Sequence, residues 1–192
     1  MLRPRMLILY GTFDGQTRKI ACALSQTMRS LHVDADLVNA REQLDPNPED
    51  YDAVIVAAPV RRGTYQPAVR RWVKAHAAAL SRRPAAFVSV CLGVLEKSPK
   101  TDAVLAGIVQ AFAKETGWQP PVTKVVAGAL QYTKYNWFIR WVMRRIVARA
   151  GGDTDTSRDY EYTDWKDLEL FAREFAFRHL PVTTGQVHDL AS

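Results

Sequence analysis

Met6, Leu7, Ile8, Leu9 and Tyr10 form an unbroken apolar run of strand length, closed by Gly11. A run without alternation fits a strand buried on both faces of a parallel sheet, although periodicity alone also admits a buried helical segment. From Thr17 to about Leu31 the period changes. Ile20, Ala21, Leu24, Met28 and Leu31 recur at helical spacing and mark one stripe for packing. Val33, Ala35 and Leu37 then alternate with His32, Asp34 and Asp36, which predicts a half-exposed edge strand. Arg41 to Tyr51, with Pro46 and Pro48, reads as a connecting loop.

Ala53 to Ala58, ended by Pro59, and Ala85 to Leu92 predict two more buried strands. Between them a helix is expected from Pro67 to Leu80, with Val69, Trp72, Val73 and Ala77 on one face and His76 on its surface. Gly93 to Thr101 reads as loop, and Ala103 to Thr116 as helix with Gly117 as its C-cap. Val122 to Leu130 predicts the last strand. Asp164 to His179 predicts the last helix, with Thr163 as N-cap and Leu168, Phe171, Ala172 and Phe175 inward.

Strands alternating with helices imply right-handed crossovers and a parallel sheet covered on both faces. Five strands with the polar second one at an edge suit the order 2-1-3-4-5, a flavodoxin-like α/β domain over residues 1–180 with a tail at 181–192. Ligands bind such sheets beyond the carboxyl ends of the strands, at the switch point between the first and third. The loops 11–17, 59–65 and 91–97 converge there.

The 192 residues suffice for one sizeable core, and the apolar and charged fractions are ordinary for a globular domain. The net charge of +6 adds a preference for anionic partners. Cys22 and Cys91 are too few for a disulfide framework and lack metal-ligand spacing, so a reducing cytoplasm is the expected compartment and no metal is expected. No uninterrupted apolar segment reaches membrane-spanning length. His32, His76, His179 and His188 all fall away from the three converging loops, and no nucleophile–histidine pair supports hydrolytic chemistry.

A simple flavodoxin-like pattern needs only a short connection before the last helix, yet residues 131–162 intervene. Between 132 and 149 stand Lys134, Arg140, Arg144, Arg145 and Arg149 with no acidic residue. On a helical projection Ile139, Val142, Met143, Ile146 and Ala150 gather on one side. Trp137, Arg140, Trp141 and Arg144 gather on the other, the combination an interfacial helix offers to anionic headgroups. The same helix packed by its aliphatic side with a solvated Trp/Arg face remains the alternative. Nucleic acid is not expected, because no helix-turn-helix, RNA-binding or zinc-finger signature accompanies the basic stretch.

Strand, hydroxyl-rich loop and Thr17 at a helix start resemble the phosphate loop with which flavodoxins hold the phosphate of FMN. Four stretches together resemble one family. These are LILYGTFDGQTR (7–18), IVAAPVRRGTY (55–65), VAGALQYTKY (126–135), and GGDTDT (151–156) followed by YTDW (162–165). The family is the menaquinone-dependent protoporphyrinogen IX dehydrogenases (oxidases) of bacterial heme synthesis, and the likeness spans about residues 6–178. It implies an FMN enzyme that oxidises protoporphyrinogen IX to protoporphyrin IX. Electrons would pass to a respiratory quinone, menaquinone or ubiquinone, at the cytoplasmic face of the inner membrane, with the chain bound peripherally. Self-association is left open.

On this reading Thr12, Phe13, Asp14, Gly15, Gln16 and Thr17 form the phosphate loop. Thr12 and Thr17 act through hydroxyls, and Asp14 orders the turn rather than touching phosphate. Pro59, Val60, Arg61, Arg62, Gly63, Thr64 and Tyr65 border the isoalloxazine, with Tyr65 expected to stack on it. Ser89, Val90, Cys91, Leu92 and Gly93 supply the other wall, Cys91 as packing rather than redox chemistry. Arg61 and Arg62 are expected to stabilise reduced flavin or engage substrate propionates. Tyr132, Trp137, Arg140, Trp141 and Arg144 are candidates for holding the porphyrinogen or the membrane. No side chain is assigned a catalytic proton, since the flavin carries the chemistry. The competing readings are a flavodoxin-type electron carrier and an NAD(P)H:quinone reductase on the same fold.

Overall fold

The computed structural model describes residues 3–42, 44–95, 98–130 and 160–182. Strand β1 (Arg5–Tyr10) runs up the middle of the sheet, parallel to β2 (Asp34–Asn39) on one side and β3 (Ala53–Arg61) on the other. The short β4 (Thr64–Tyr65) folds back antiparallel on the end of β3. Strands β5 (Ala85–Val90) and β6 (Val122–Val126) complete the order β2-β1-β3-β5-β6. Counting parallel strands alone, this is the expected 2-1-3-4-5. A separate antiparallel ribbon joins β7 (Ala129–Leu130) to β8 (Tyr160–Glu161), so the expected strand at 122–130 is two strands in two sheets.

The uniform apolarity of β1 follows from burial on both sides. Met6, Ile8 and Tyr10 enter one layer of the core with Ile20, Leu24 and Met28 from helix α1 (Gln16–Ser30). Leu7 and Leu9 enter the other, with Val69, Trp72 and Val73 from α2 (Pro67–Ala75). Each layer removes a full set of aliphatic side chains from water, at about 25 cal/mol per Å² of apolar surface. Helix α4 (Pro99–Thr116) shares the second face through Phe112, and α5 (Trp165–His179) shares the first through Leu168, Ala172 and Phe175.

Local chemistry shifts several expected boundaries. Strand β3 does not stop at Pro59. Proline lacks only a donor, and the strand continues to Arg61 and turns through Arg62 and Gly63, with φ of 53° and 75°. Two central residues with positive φ form the kind of two-residue hairpin turn whose twist suits antiparallel strands. The helix expected over 67–80 breaks at His76, where α2 ends and α3 (Ala77–Ser81) begins. His76 is half-buried rather than a plain surface residue. Its Nε2 lies 2.8 Å from Asp45 Oδ1, and its ring packs on Trp72. Helix α4 starts a turn earlier than expected, because Ser98 caps it by accepting from Thr101 N and Pro99 suits the first helical position.

The cap of α5 is Asp164, whose Oδ1 accepts from Asp167 N at 3.0 Å, and not Thr163. Thr163 is buried and used elsewhere. It accepts from Gln16 Nε2 at 3.0 Å and donates to Ala127 O at 2.8 Å, tying the start of α1 to the chain leaving β6. The two roles predict different costs. Asp164→Ala should lose about 1 kcal/mol, the usual value of a cap. Thr163→Val should lose roughly 2 kcal/mol or more by leaving two buried polar partners unpaired. Urea unfolding checks both, and a larger loss for Asp164→Ala would contradict the assignment.

Candidate functional site

The crevice lies where β1 and β3 diverge from their partners, as the strand order requires. Gly11 leaves β1 by donating its N–H to Ala57 O at 2.9 Å. A Cβ there would stand 2.3 Å from Gln66 Oε1 and 2.7 Å from Val69 Cγ2, so only glycine lets the loop lie this close to α2. Gln66 Nε2 in turn donates to Thr12 O at 2.8 Å, fixing the loop from the side. Thr12 Oγ1 accepts from Gly15 N at 2.9 Å, and Gly15, at φ 94°, redirects the chain into α1. The loop is thus held from within and from α2.

Its product is a helix N-terminus without a side-chain cap and without an acidic residue in its first turn. Helices α4 and α5 differ, each having a hydroxyl or carboxylate cap and an aspartate in the first turn. The amides and dipole of α1 therefore face the crevice available to an anion. Thr12 keeps its hydroxyl proton for donation, since its oxygen is the acceptor toward Gly15. Gln16 and Thr17 are buried, and the Gln16 side chain is engaged with Thr163, so it serves as a tie and leaves only its backbone amide for a ligand.

The loop expected at 59–65 is instead the β3–β4 hairpin. With Phe13 and Pro67 it lines a cleft of about 430 Å³, to which Arg61, Arg62, Thr64 and Tyr65 contribute. The guanidiniums of Arg61 and Arg41 stand 4.8 and 5.7 Å from the centre of the Phe13 ring. Tyr65 does not offer a free face for stacking, contrary to the sequence-based expectation. It is 2% exposed, with its ring edge-on to Phe87 and Phe112 and its hydroxyl 2.8 Å from Ser89 Oγ. The hairpin pairing of Val60 with Tyr65 turns that ring into the core. Ser89 and Val90 are likewise buried, while Cys91, Leu92 and Gly93 at the end of β5 are half-exposed. Cys91 Sγ accepts from Gly93 N at 3.3 Å, and burial pushes its thiol up, so it stays protonated at neutral pH.

Phe13 and Asp14 lie in the loop before α1, Pro59 lies within β3, and Gly63 lies in the hairpin turn at φ 75°. Among the described histidines, His32 ends the α1 turn, His76 meets Asp45 and His179 packs on Phe175, all in contacts outside the crevice. Tyr132, Trp137, Arg140, Trp141 and Arg144 lie outside the described residues. Gln66 and Arg41 were missed by sequence reasoning. A polar residue before Pro67 gave no sign that it would be buried, and Arg41 stood in a segment read only as connection.

A parallel 2-1-3-4-5 sheet with an anion-ready loop at its switch point defines a flavodoxin-like domain. Residues 7–157 match the model of the flavodoxin domain family. Over 172 residues the chain is 39% identical to the protoporphyrinogen IX dehydrogenase [quinone] of Escherichia coli (strain K12), covering 90% of this chain and 94% of that protein. The enzyme of the same name from Leishmania major is 34% identical over 180 residues, 93% of this chain and 78% of that one. Among solved structures, oxidised flavodoxin 1 from Bacillus cereus superposes with a TM-score of 0.55 at 15% identity, covering 92% of this chain and 99% of that one. The chain belongs to the flavodoxin-domain family of quinone-dependent protoporphyrinogen IX dehydrogenases.

The Tyr65 geometry makes a pH-dependent prediction. Burial pushes its phenol up to about 12, with the Ser89 contact opposing, while an unfolded tyrosine titrates at 10.0. The native state therefore keeps a proton that the unfolded state gives up. The stabilisation is complete below pH about 10 and is lost as pH rises toward about 12. Urea midpoints measured across that window should fall less steeply for Tyr65→Phe than for the parent. Equal slopes would mean that the buried phenol ionises without cost.

Proposed function

We propose that this chain is an FMN-dependent dehydrogenase that oxidises protoporphyrinogen IX to protoporphyrin IX. It passes the electrons to a membrane quinone, within heme biosynthesis. The observation that carries the reading is the 39% identity along nearly the full length of both this chain and its E. coli relative. The crevice supports it independently, because an uncapped α1 start suits the phosphate of a flavin mononucleotide.

The residues present fit that cofactor. The amides of Gln16 and Thr17 and the Thr12 hydroxyl would hold the phosphate. The β3–β4 hairpin on one side and Cys91 to Gly93 on the other would border the ring system. Bound FMN supplies the acceptor for hydride from the porphyrinogen and the donor to the quinone. The protein's part is to place and to surround. Gly11, Gln66 and Thr12 fix the loop, and the buried Tyr65–Ser89 pair props the hairpin from beneath. The protonated Cys91 packs the wall without offering a thiolate.

Among the described residues no helix is long and apolar enough to cross a membrane. Contact with the cytoplasmic face of the membrane is therefore proposed as peripheral, through the tryptophans and arginines of 131–162.

Anaerobic mixing of the FMN-loaded protein with protoporphyrinogen IX tests the reading. The flavin should bleach while porphyrin fluorescence rises, and a menaquinone analogue should restore the yellow form. Flavin that stays oxidised with porphyrinogen, yet accepts electrons from a protein reductase, would make the chain an electron carrier.

A further inference from the structure

Several arginines away from the crevice are paired with carboxylates. Arg3 pairs with Asp34, Arg5 with Asp36, Arg70 with Glu115 and Arg173 with Glu169. Arg41, Arg61 and Arg62 are all exposed, and none has a carboxylate partner among the described residues. Arg41, from the segment after β2, and Arg61, from the β3–β4 hairpin, meet at Phe13, and Arg62 in the hairpin turn lines the cleft beside them. A guanidinium stacked on an aromatic ring keeps its N–H edge turned away from the ring, free for bidentate bonds to a planar anion. Arg62 adds a third charge from a backbone with φ of 53°, a conformation that disfavours a residue with a side chain. Arg61 and Arg62 line the cleft of about 430 Å³ together with Phe13, Thr64, Tyr65 and Pro67.

The geometry points to a dicarboxylate receptor. Arg41 and Arg61, beside Phe13 and assisted by Arg62, bind the two carboxylates of the porphyrinogen side chains while its macrocycle lies at the mouth of the cleft, outside the ring system that the hairpin borders. The inference rests on the proposed function for the identity of the substrate, and extends it by giving Arg41 and Phe13 a role in selecting a dianion. The chemistry has a second source close at hand, the phosphate of FMN. Position distinguishes the two. Phosphate has donors of its own at the α1 start, which carries no side-chain cap, whereas the arginine edges stand at the outer rim beside Phe13.

Binding of protoporphyrin IX and of its dimethyl ester to the FMN-loaded protein, followed by porphyrin fluorescence, needs no turnover. The parent should prefer the diacid. Arg41→Gln and Arg61→Gln should each weaken diacid binding by about tenfold, as expected for loss of a charge-assisted pair, while the diester changes little. Arg41→Lys should restore only part, because an ammonium keeps charge but not the flat fork. Arg71→Gln, an exposed arginine of α2, serves as control and should leave the preference intact. Three results would overturn the inference. One is an unchanged diacid-to-diester ratio in both glutamine variants. Another is a tenfold loss of FMN affinity with that ratio preserved, which would assign the arginines to the cofactor phosphate. The last is a loss confined to binding of phosphatidylglycerol vesicles. If the arginines govern diacid binding but porphyrinogen fails to bleach the flavin, the receptor stands and the proposed reaction falls.

Discussion

The α1 helix begins just past the carboxyl end of β1, and the loop that leads into it is held by Gly11, Thr12 and Gln66 rather than by a side-chain cap on the helix. Gly11 must lack a Cβ so that Gln66 can reach the carbonyl of Thr12, and Thr12 must hold Gly15 so that the chain turns at positive φ. A side-chain cap at this helix would satisfy the same amides and close the site to an anion. The other two long helices of the second half carry such caps. Helix α2 also lacks a side-chain cap and an early acidic residue, so what sets α1 apart is the addition of its place at the switch point of the sheet, behind the loop that Gly11 and Gly15 turn.

From this constraint the rest of the crevice follows in layers. The flanking β3–β4 hairpin is rigid because Tyr65 is driven into the core, where its hydroxyl meets Ser89 and its ring meets Phe87 and Phe112. Burying that tyrosine sets the hairpin tip, and the tip brings Arg61 against Phe13 of the phosphate loop. On the far side of α1, Gln16 and Thr163 link the loop to the chain leaving β6, at the root of the ribbon from which residues 131–159 depart. Gln66 thus holds the phosphate loop from α2, while Gln16 and Thr163 tie its end to the chain leaving β6.

The fold was largely legible because burial on both faces leaves an unmistakable pattern. Strands β1, β3 and β5 are continuous apolar runs, and the stripe of α1 packs where its spacing requires. The site was legible as loops but not as side-chain directions. Pro59 looked like the end of a strand, yet a missing donor does not halt a strand whose continuation pairs with a hairpin partner. Tyr65 looked available for stacking, and alternation along a two-residue strand, which no periodicity reveals, sends it inward. Thr163 and Asp164 are both good caps in sequence, and only the demand of buried Gln16 for a partner decides between them. Arg41 could not be placed at all from its neighbours, since its role depends on the ring of Phe13, distant along the chain and nearly adjacent in space.

The central claim is that the open start of α1 is kept for a phosphate. Comparing the affinities of FMN and riboflavin for the cofactor-free protein, by quenching of flavin fluorescence, tests it most directly. The two ligands share the ring and the ribityl chain and differ in the phosphate alone. FMN is expected to bind roughly a hundredfold more tightly or better, the advantage of several charge-assisted bonds at a helix N-terminus. Equal affinities would mean that the amides of Gln16 and Thr17 hold no anion, and the site built on them would have to be given up.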